Sequence, residues 1–300
     1  MSSPQYLKPG DTIGIIATAR KISPEEIEPA LKKLSEWKFN VVLGKNIYAI
    51  SNQYAGDDEQ RASDLQEMLD DMNIKAIFIA RGGYGTLRII DKIDFSKFVK
   101  NPKWIIGYSD VTVLHSHIHK HYGIETLHAA MPFNFPPNGQ NNNALNTLRK
   151  VLSGEKPEYE TEANVLNKIG KGKGILIGGN LSLLYALSGT PSDIDTAEKI
   201  LFLEDLDEYL YHIDRMMMQL KRSGKLKNLA GLVVGGMTEM KDNFVPFGKS
   251  AYEIIAEAVA EYNYPVCFGF PAGHIEDNRA LIMGRKVMLD VSERSILLSF

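Results

Sequence analysis

The sequence predicts an α/β protein, with an N-terminal doubly wound parallel sheet followed by a mixed α/β domain. Three observations carry this reading. From Thr12 to His128, short apolar runs of strand length alternate with capped, amphipathic stretches of helix length. That alternation marks βαβ units around a parallel sheet. Between Phe133 and about Lys168 the chain becomes polar and rich in Pro and Asn, as at a domain boundary. Beyond it, further apolar runs are interrupted by only two clear helices, a mixed pattern.

Thr12 to Ala17 reads as the first buried strand, introduced by the turn pair Pro9-Gly10. Ser23, Pro24 and Glu26 spell a capping box with proline at the first helical position. The helix they open buries Ile27, Ala30, Leu31 and Leu34. An interior proline costs about 3 kcal/mol, so Pro29 predicts a separate first turn and a main helix from near Glu28. Asn40 to Leu43 is the second strand. Asp57 or Asp58 caps a helix whose Ala62, Leu65, Leu69 and Met72 share a face. Lys75 to Ala80 and Trp104 to Ile106 are the third and fourth strands, and an amphipathic segment runs from Val111 to Tyr122. Ligands of such sheets sit beyond the carboxyl ends of the strands. The loops 18–20, 81–85 and 107–110 should therefore lie close together.

The predicted organisation is an N-terminal domain over 1–135, a linker over 136–168 holding one helix (Ala144 to Leu152), and a C-terminal domain over 169–300. In the last, Gly174 to Ile177, Ile200 to Leu203, Gly231 to Val234, Val266 to Phe268, Val287 to Leu289 and Ile296 to Leu298 read as strands. Helices are expected over Tyr209 to Ser223, burying Ile213, Met217 and Leu220, and over Ser250 to Tyr262, burying Ile254, Ile255, Ala258 and Val259. The run Met216-Met217-Met218 is read as core filling.

With 300 residues, the chain can bury a large core or two ordinary ones. Its 44% apolar and 24% charged residues are those of a soluble globular protein. A net charge of −3 without a long basic run argues against a nucleic-acid or anionic-membrane partner. The first residues show neither the basic nor the apolar region of a secretion signal, and no apolar stretch has transmembrane length, so a cytoplasmic protein is expected. The single cysteine, Cys267, excludes an internal disulfide and lies in an apolar run, where an inert buried thiol is expected.

Chemistry concentrates at strand ends. Trp104-Ile105-Ile106-Gly107-Tyr108-Ser109-Asp110 is an apolar run, a tight turn and the start of a helix, with a hydroxyl at the apex. That arrangement suits a nucleophile elbow, although the last glycine of G-x-S-x-G is replaced by Val111; a plain helix cap by Ser109 is the alternative. Arg81-Gly82-Gly83-Tyr84-Gly85 follows a strand directly, and its glycines can expose backbone N–H groups to an anion. It fits neither the dinucleotide pattern nor a Walker loop. Glu204, beside Asp205, Asp207 and Glu208, ends one apolar run, and His274 follows another. A serine needs a base to take its proton, and the imidazole needs a carboxylate to fix its tautomer. The chain order serine, acid, histidine is one that hydrolases use. His117 and His121, at i and i+4, could begin a zinc site, but no third ligand follows. His128 ends a strand and is expected to line the pocket.

Taken together and in order, several motifs resemble the LD-carboxypeptidases, also called muramoyltetrapeptide carboxypeptidases, which include the microcin C self-immunity peptidases. They are Lys8-Pro9-Gly10-Asp11, Ala80 to Gly85, Gly107 to Asp110, Gly178-Gly179-Asn180-Leu181-Ser182, Leu201 to Asp205, Ile213-Asp214-Arg215-Met216 and Pro271 to His274. The resemblance implies a metal-free, cofactor-free serine peptidase in which Ser109 is the nucleophile, Glu204 the orienting carboxylate and His274 the general base. The amides of Gly83 and Asp110 would form the oxyanion hole, with Arg81, Gly82, Tyr84 and Asn180 around the substrate. It further implies a C-terminal domain with a β-barrel-like core, a homodimer, and removal of the terminal D-alanine from a murein tetrapeptide during cell-wall recycling. Inactivation of a peptide-nucleotide antibiotic is the same-family alternative, and a non-catalytic small-ligand-binding protein the alternative outside it. Ala129-Ala130 stands after His128 where many members have Gly-Pro.

Overall fold

The computed structural model describes residues 2–300 and contains two mixed sheets. The first is built from β1 (Thr12–Ile16), β2 (Asn40–Leu43), β3 (Ile74–Ile79), β4 (Trp104–Gly107) and β5 (Thr126–His128), all parallel. The helices between them are α1 (Pro24–Glu36), α2 (Asp58–Asp70), the short α3 (Thr86–Ile89) and α4 (Ser96–Lys100), and α5 (Thr112–Tyr122). After β5 come α6 (Asn143–Leu152), β6 (Glu158–Glu162), β7 (Gly170–Asn180), α7 (Leu181–Leu187) and β8 (Ile200–Leu206). Then follow α8 (Leu210–Arg222), β9 (Gly231–Thr238), α9 (Ala251–Ala258), β10 (Val266–Phe268), β11 (Leu281–Met283), β12 (Lys286–Val291) and β13 (Ser295–Ser299).

Strand alternation explains the first half. Ile13, Ile15, Phe78 and Ile106 face α1 and α6, while Ile16, Ile77, Ile79 and Ile105 face α2, α4 and α5. Covered on both faces, the central strands β1, β3 and β4 carry near-continuous apolar runs, whereas the edge strand β2 is half-exposed. The capping box at Ser23 is present, but the helix it opens is continuous. Pro29 lies inside α1, whose apolar face of Ile27, Ala30 and Leu34 is fully buried, and that packing outweighs the missing hydrogen bond. Asp57 caps α2, which ends at Asp70; Met72 is consequently 71% exposed, and Met68 takes the expected place in the core.

The second sheet has the order β10-β9-β8-β7-β12-β13-β6, parallel from β10 to β7 and antiparallel thereafter. One face packs against α7, α8 and α9 through Ile177, Leu201, Leu203 and Leu232. The other curls around Phe202, Cys267, Leu289 and Leu298. Its edge strands do not hydrogen-bond, so the barrel is not closed. Yet Tyr159 on β6 and Phe270 after β10 meet across the gap with ring centroids 6.1 Å apart.

The stretch 136–168 is more than a connection. Ala144, Leu145, Leu148 and Val151 of α6 join the core of the first sheet, and β6 pairs with β13. A polar, glutamate-rich edge strand carries little apolar signal, which is why β6 reads as linker. The chain also returns: β11 pairs antiparallel with β5 at the edge of the first sheet. Its Ile282 enters the first core while Leu281 and Met283 enter the second. Arg285 donates to Glu125 at 3.0 Å across the same seam. No helix among the described residues is long and apolar enough to cross a membrane.

Candidate active site

The carboxyl end of β4 and the two loops beside it converge as the strand order requires. Thr18 and Thr86 share a hydrogen bond of 2.7 Å, Arg20 donates its amide to Gly82 O at 3.4 Å, and Thr86 donates its amide to Asp110 Oδ2 at 2.8 Å. Asp110 is almost fully buried; burial pushes its carboxyl up to about 6 against the pull of the Thr86 hydrogen bonds. Its side chain thus ties the glycine loop to the turn that carries Ser109.

Ser109 has φ 63, the left-handed region that costs a non-glycine residue roughly 1–2 kcal/mol. A helix cap takes extended backbone instead, and the residue in that position is Tyr108, at φ −147. The elbow reading therefore describes the backbone and the cap reading does not. A Cβ placed on Gly82 would lie 2.9 Å from Ser109 Cβ and 3.1 Å from its Oγ, so only glycine lets the loop pass this close. Ser109 is partly accessible, and Gly83 and Tyr84 are exposed. Neither the Gly83 nor the Asp110 amide is engaged by another group among the described residues.

The second sheet supplies a carboxylate and an imidazole. Leu203 pairs with Val234 and Asp205 with Met237, so the single residue Glu204 faces Gly235 and Gly236 at a bulge. The glycine pair lets the loop 271–275 cross β9: a Cβ on Gly235 would come within 2.4 Å of Ala272 O, to which Gly236 donates at 2.9 Å. His274 is held there by Thr238, which donates to its carbonyl at 3.0 Å. Glu204 is wholly buried, and its Oε2 meets His274 Nδ1 at 2.6 Å and the His274 amide at 3.2 Å. Gly273, at φ 107, is what allows the approach, since a Cβ there would sit 2.7 Å from Glu204 Cβ. Burial disfavours the charged imidazole, but the charge and hydrogen bond of Glu204, with Asp205 and Glu239 behind it, raise His274 above its ordinary value.

The two halves meet through Tyr108, whose ring lies 4.8 Å from that of His274, centroid to centroid. Ser109 is its neighbour in sequence. No Ser109–His274 hydrogen bond is present in the structure, and such contacts commonly tighten only around a substrate. The seam itself is fixed by Thr112, which accepts from the Asn180 amide at 3.0 Å.

The acidic cluster sorts by strand alternation. While Glu204 points to His274, Asp205 points to the opposite side and accepts from Asn180 Nδ2 and the Ser182 amide, both at 2.9 Å. Burial and the neighbouring Glu204 push Asp205 up to about 7. Asp207 pairs with Lys241, and Glu208 with His212. Asn180 is buried, and its oxygen caps α7 through Ser182 and Leu183. Its oxygen and one of its two side-chain N–H groups are thus engaged in ordering α7 and Asp205. Arg81 donates to Glu26 at 3.1 Å and lies over the Phe133 ring at 4.1 Å.

His128 is fully buried behind Tyr108, walled by His115 and Phe202, with neither ring nitrogen hydrogen-bonded. It underlies the site and does not face the opening. Burial holds it well below the usual histidine range. His117 bonds Ser192 at 2.9 Å while stacking near His121, and among the described residues no three His, Cys, Asp or Glu side chains gather as ligands. Cys267 is buried, which pushes its thiol up to about 12. Sequence reasoning missed the Gly235-Gly236 pair and the anchoring side chain of Asp110. The double glycine after an apolar run was the signal available for the first.

Residues 13–129 match the LD-carboxypeptidase N-terminal domain, and 173–289 the LD-carboxypeptidase C-terminal domain. The chain is 37% identical to a Bacillus subtilis protein named a probable murein peptide carboxypeptidase, covering 98% of this chain and 93% of that one. It is 30% identical to the murein tetrapeptide carboxypeptidase of Pseudomonas aeruginosa, over 96% of each. The crystal structure of a muramoyltetrapeptide carboxypeptidase from Oxalobacter formigenes superposes with a TM-score of 0.86 at 28% identity, covering 96% of this chain and 98% of that one.

Proposed function

Because the chain belongs to the LD-carboxypeptidase family, we propose that it is a serine carboxypeptidase removing the terminal D-alanine from murein tetrapeptide. The observation that carries the triad is the pair of part-buried His274 and wholly buried Glu204, 2.6 Å apart, with the His274 ring edge-on to Tyr108, the residue that precedes a left-handed Ser109. With Nδ1 committed to Glu204, His274 Nε2 is the nitrogen left to take a proton.

The reaction then runs in two balanced halves. Ser109 Oγ attacks the carbonyl carbon of the L-centre of the diamino acid and passes its proton to His274. The tetrahedral oxyanion is received by the amides of Gly83 and Asp110, each donor worth about 10²–10³ in rate. The C–N bond breaks, His274 gives its proton to the departing amine, and D-alanine leaves. Water, deprotonated by His274, attacks the acyl-serine; the tripeptide carboxylate forms and the proton returns to Ser109. We place this enzyme in the cytoplasm as a homodimer, an assembly that light scattering would test.

Mass spectrometry of a murein tetrapeptide incubated with the protein, alongside Ser109→Ala, tests the reading. Loss of one D-alanine is expected with the wild type alone. If the wild type labels with a fluorophosphonate but releases no D-alanine, the triad survives and the substrate is wrong, with a peptide-nucleotide antibiotic next to try. If there is neither label nor product, the protein is a binding protein.

A further inference from the structure

Beside the glycine loop stands a cation that the triad does not use. Arg20 follows β1, and its backbone is held on two sides, by the amide bond to Gly82 O at 3.4 Å and by a bridge to Tyr54. Its side chain runs across Gly83. A Cβ on Gly83 would lie 2.3 Å from both Cγ and Cδ of Arg20, so the glycine makes room for the arginine stem. At φ 119, a side chain at 83 would be strained as well. Arg20 is exposed, and no carboxylate pairs with its guanidinium among the described residues. The cation of the glycine loop itself differs in this respect: Arg81 is bound to Glu26.

We infer that Arg20 is the specificity residue that receives the free carboxylate of the substrate's C-terminal residue, an inference that rests on the carboxypeptidase reading. The covalent geometry of a peptide sets the requirement. Only the nitrogen and Cα of the leaving residue separate the scissile carbonyl carbon from the terminal carboxylate, so the two groups lie within about 4 Å. A carboxylate reader must therefore adjoin the oxyanion amides, and the stem of Arg20 packs against the residue that carries one of them, Gly83. The guanidinium fork matches a carboxylate in two parallel hydrogen bonds, and its fixed backbone limits the ordering needed on binding. An internal peptide bond or a C-terminal amide offers no such charge. Arg20 thereby makes the enzyme an exopeptidase.

The test separates binding from turnover. Ser109→Ala protein is titrated calorimetrically with murein tetrapeptide as the free acid and as the C-terminal amide, with and without Arg20→Ala. The acid should bind tenfold or more tighter than the amide, on the order of one charged hydrogen bond, and Arg20→Ala should erase that preference while Arg20→Lys keeps part of it. With Ser109 intact, Arg20→Ala should still label with a fluorophosphonate, which controls for folding. Equal binding of acid and amide, or a preference that survives Arg20→Ala, overturns the inference. An Arg20-dependent preference in a protein that releases no D-alanine would retain the carboxylate site and reject the proposed reaction.

Discussion

The carboxyl ends of β4 and β8 reach the same site by opposite means. At β4 the backbone is distorted and the side chain is ordinary: Ser109 sits at φ 63, partly accessible, on a turn that glycines keep open. At β8 the backbone stays extended and the side chain is forced: Glu204 is wholly buried, with Oε2 on His274 and Oε1 without a partner. A strained backbone presents a nucleophile, whereas a desolvated carboxylate strengthens the one hydrogen bond it makes. Under the proposed mechanism, Ser109 should therefore matter for chemistry alone, and Glu204 for both chemistry and stability.

The largest effect should come from the β4 end. Ser109→Ala is expected to lower kcat on the order of 10⁴-fold or more while leaving the thermal midpoint within about 2 °C of wild type, because no hydrogen bond is lost. Steady-state kinetics with a melting curve checks both halves; a marked fall in stability would show that the serine is structural.

Glu204→Gln should cost about 10³–10⁴ in kcat, because the amide can present its N–H to Nδ1 and hold the wrong tautomer. Unlike the serine change, it should also shift the melting curve, since the wholly buried residue exchanges a charged partner for a neutral one. Retained activity at the β8 end would break the comparison and return the choice to Asp205.

How far each end was legible follows from the same contrast. The elbow is a local pattern, apolar strand, glycine, serine, helix, and the three converging loops follow from parallel-sheet topology. Glu204 could be named but not separated from Asp205 by pattern, because which of two adjacent carboxylates faces the histidine depends on a bulge made by Gly235 and Gly236 on the next strand, β9. The polar strand β6 and the returning strand β11 are short or hydrophilic and leave almost no periodic trace. Asn180 illustrates the limit from the other side: a motif places it near the site, and only its partners show that it also caps α7 and holds Asp205.

The next effect is on pH. In the proposed mechanism activity needs neutral His274, whose value is raised by Glu204, so kcat/KM should fall about tenfold per pH unit below a point lying above 6.5. Folding stability should run the other way. A group with a raised folded value binds its proton more tightly in the native state, so its contribution is complete below 6.5 and is lost as pH rises through the higher folded value. Activity and His274-linked stability thus cross in one window, and the opposition should vanish in Glu204→Gln. Parallel pH series of kcat/KM and urea midpoint check this; an acid limb at or below 6.5 counts against the pairing.

The smallest effect is the most discriminating. If strain is stored at the elbow, glycine at 109 should relieve it and alanine should not. Left-handed backbone costs roughly 1–2 kcal/mol for a residue with a Cβ, and glycine gives back about 0.5–1 kcal/mol through the unfolded chain. Ser109→Gly should therefore be more stable than Ser109→Ala by a few tenths to about 1 kcal/mol, both being inactive. At 204 the backbone has no positive φ to relieve, so Glu204→Gly should be less stable than Glu204→Ala by a similar amount. Urea melts of the four variants measure the two differences. Opposite signs place strain at β4 and none at β8; like signs would mean that the φ of Ser109 carries no stored energy and that the two strand ends differ only in burial.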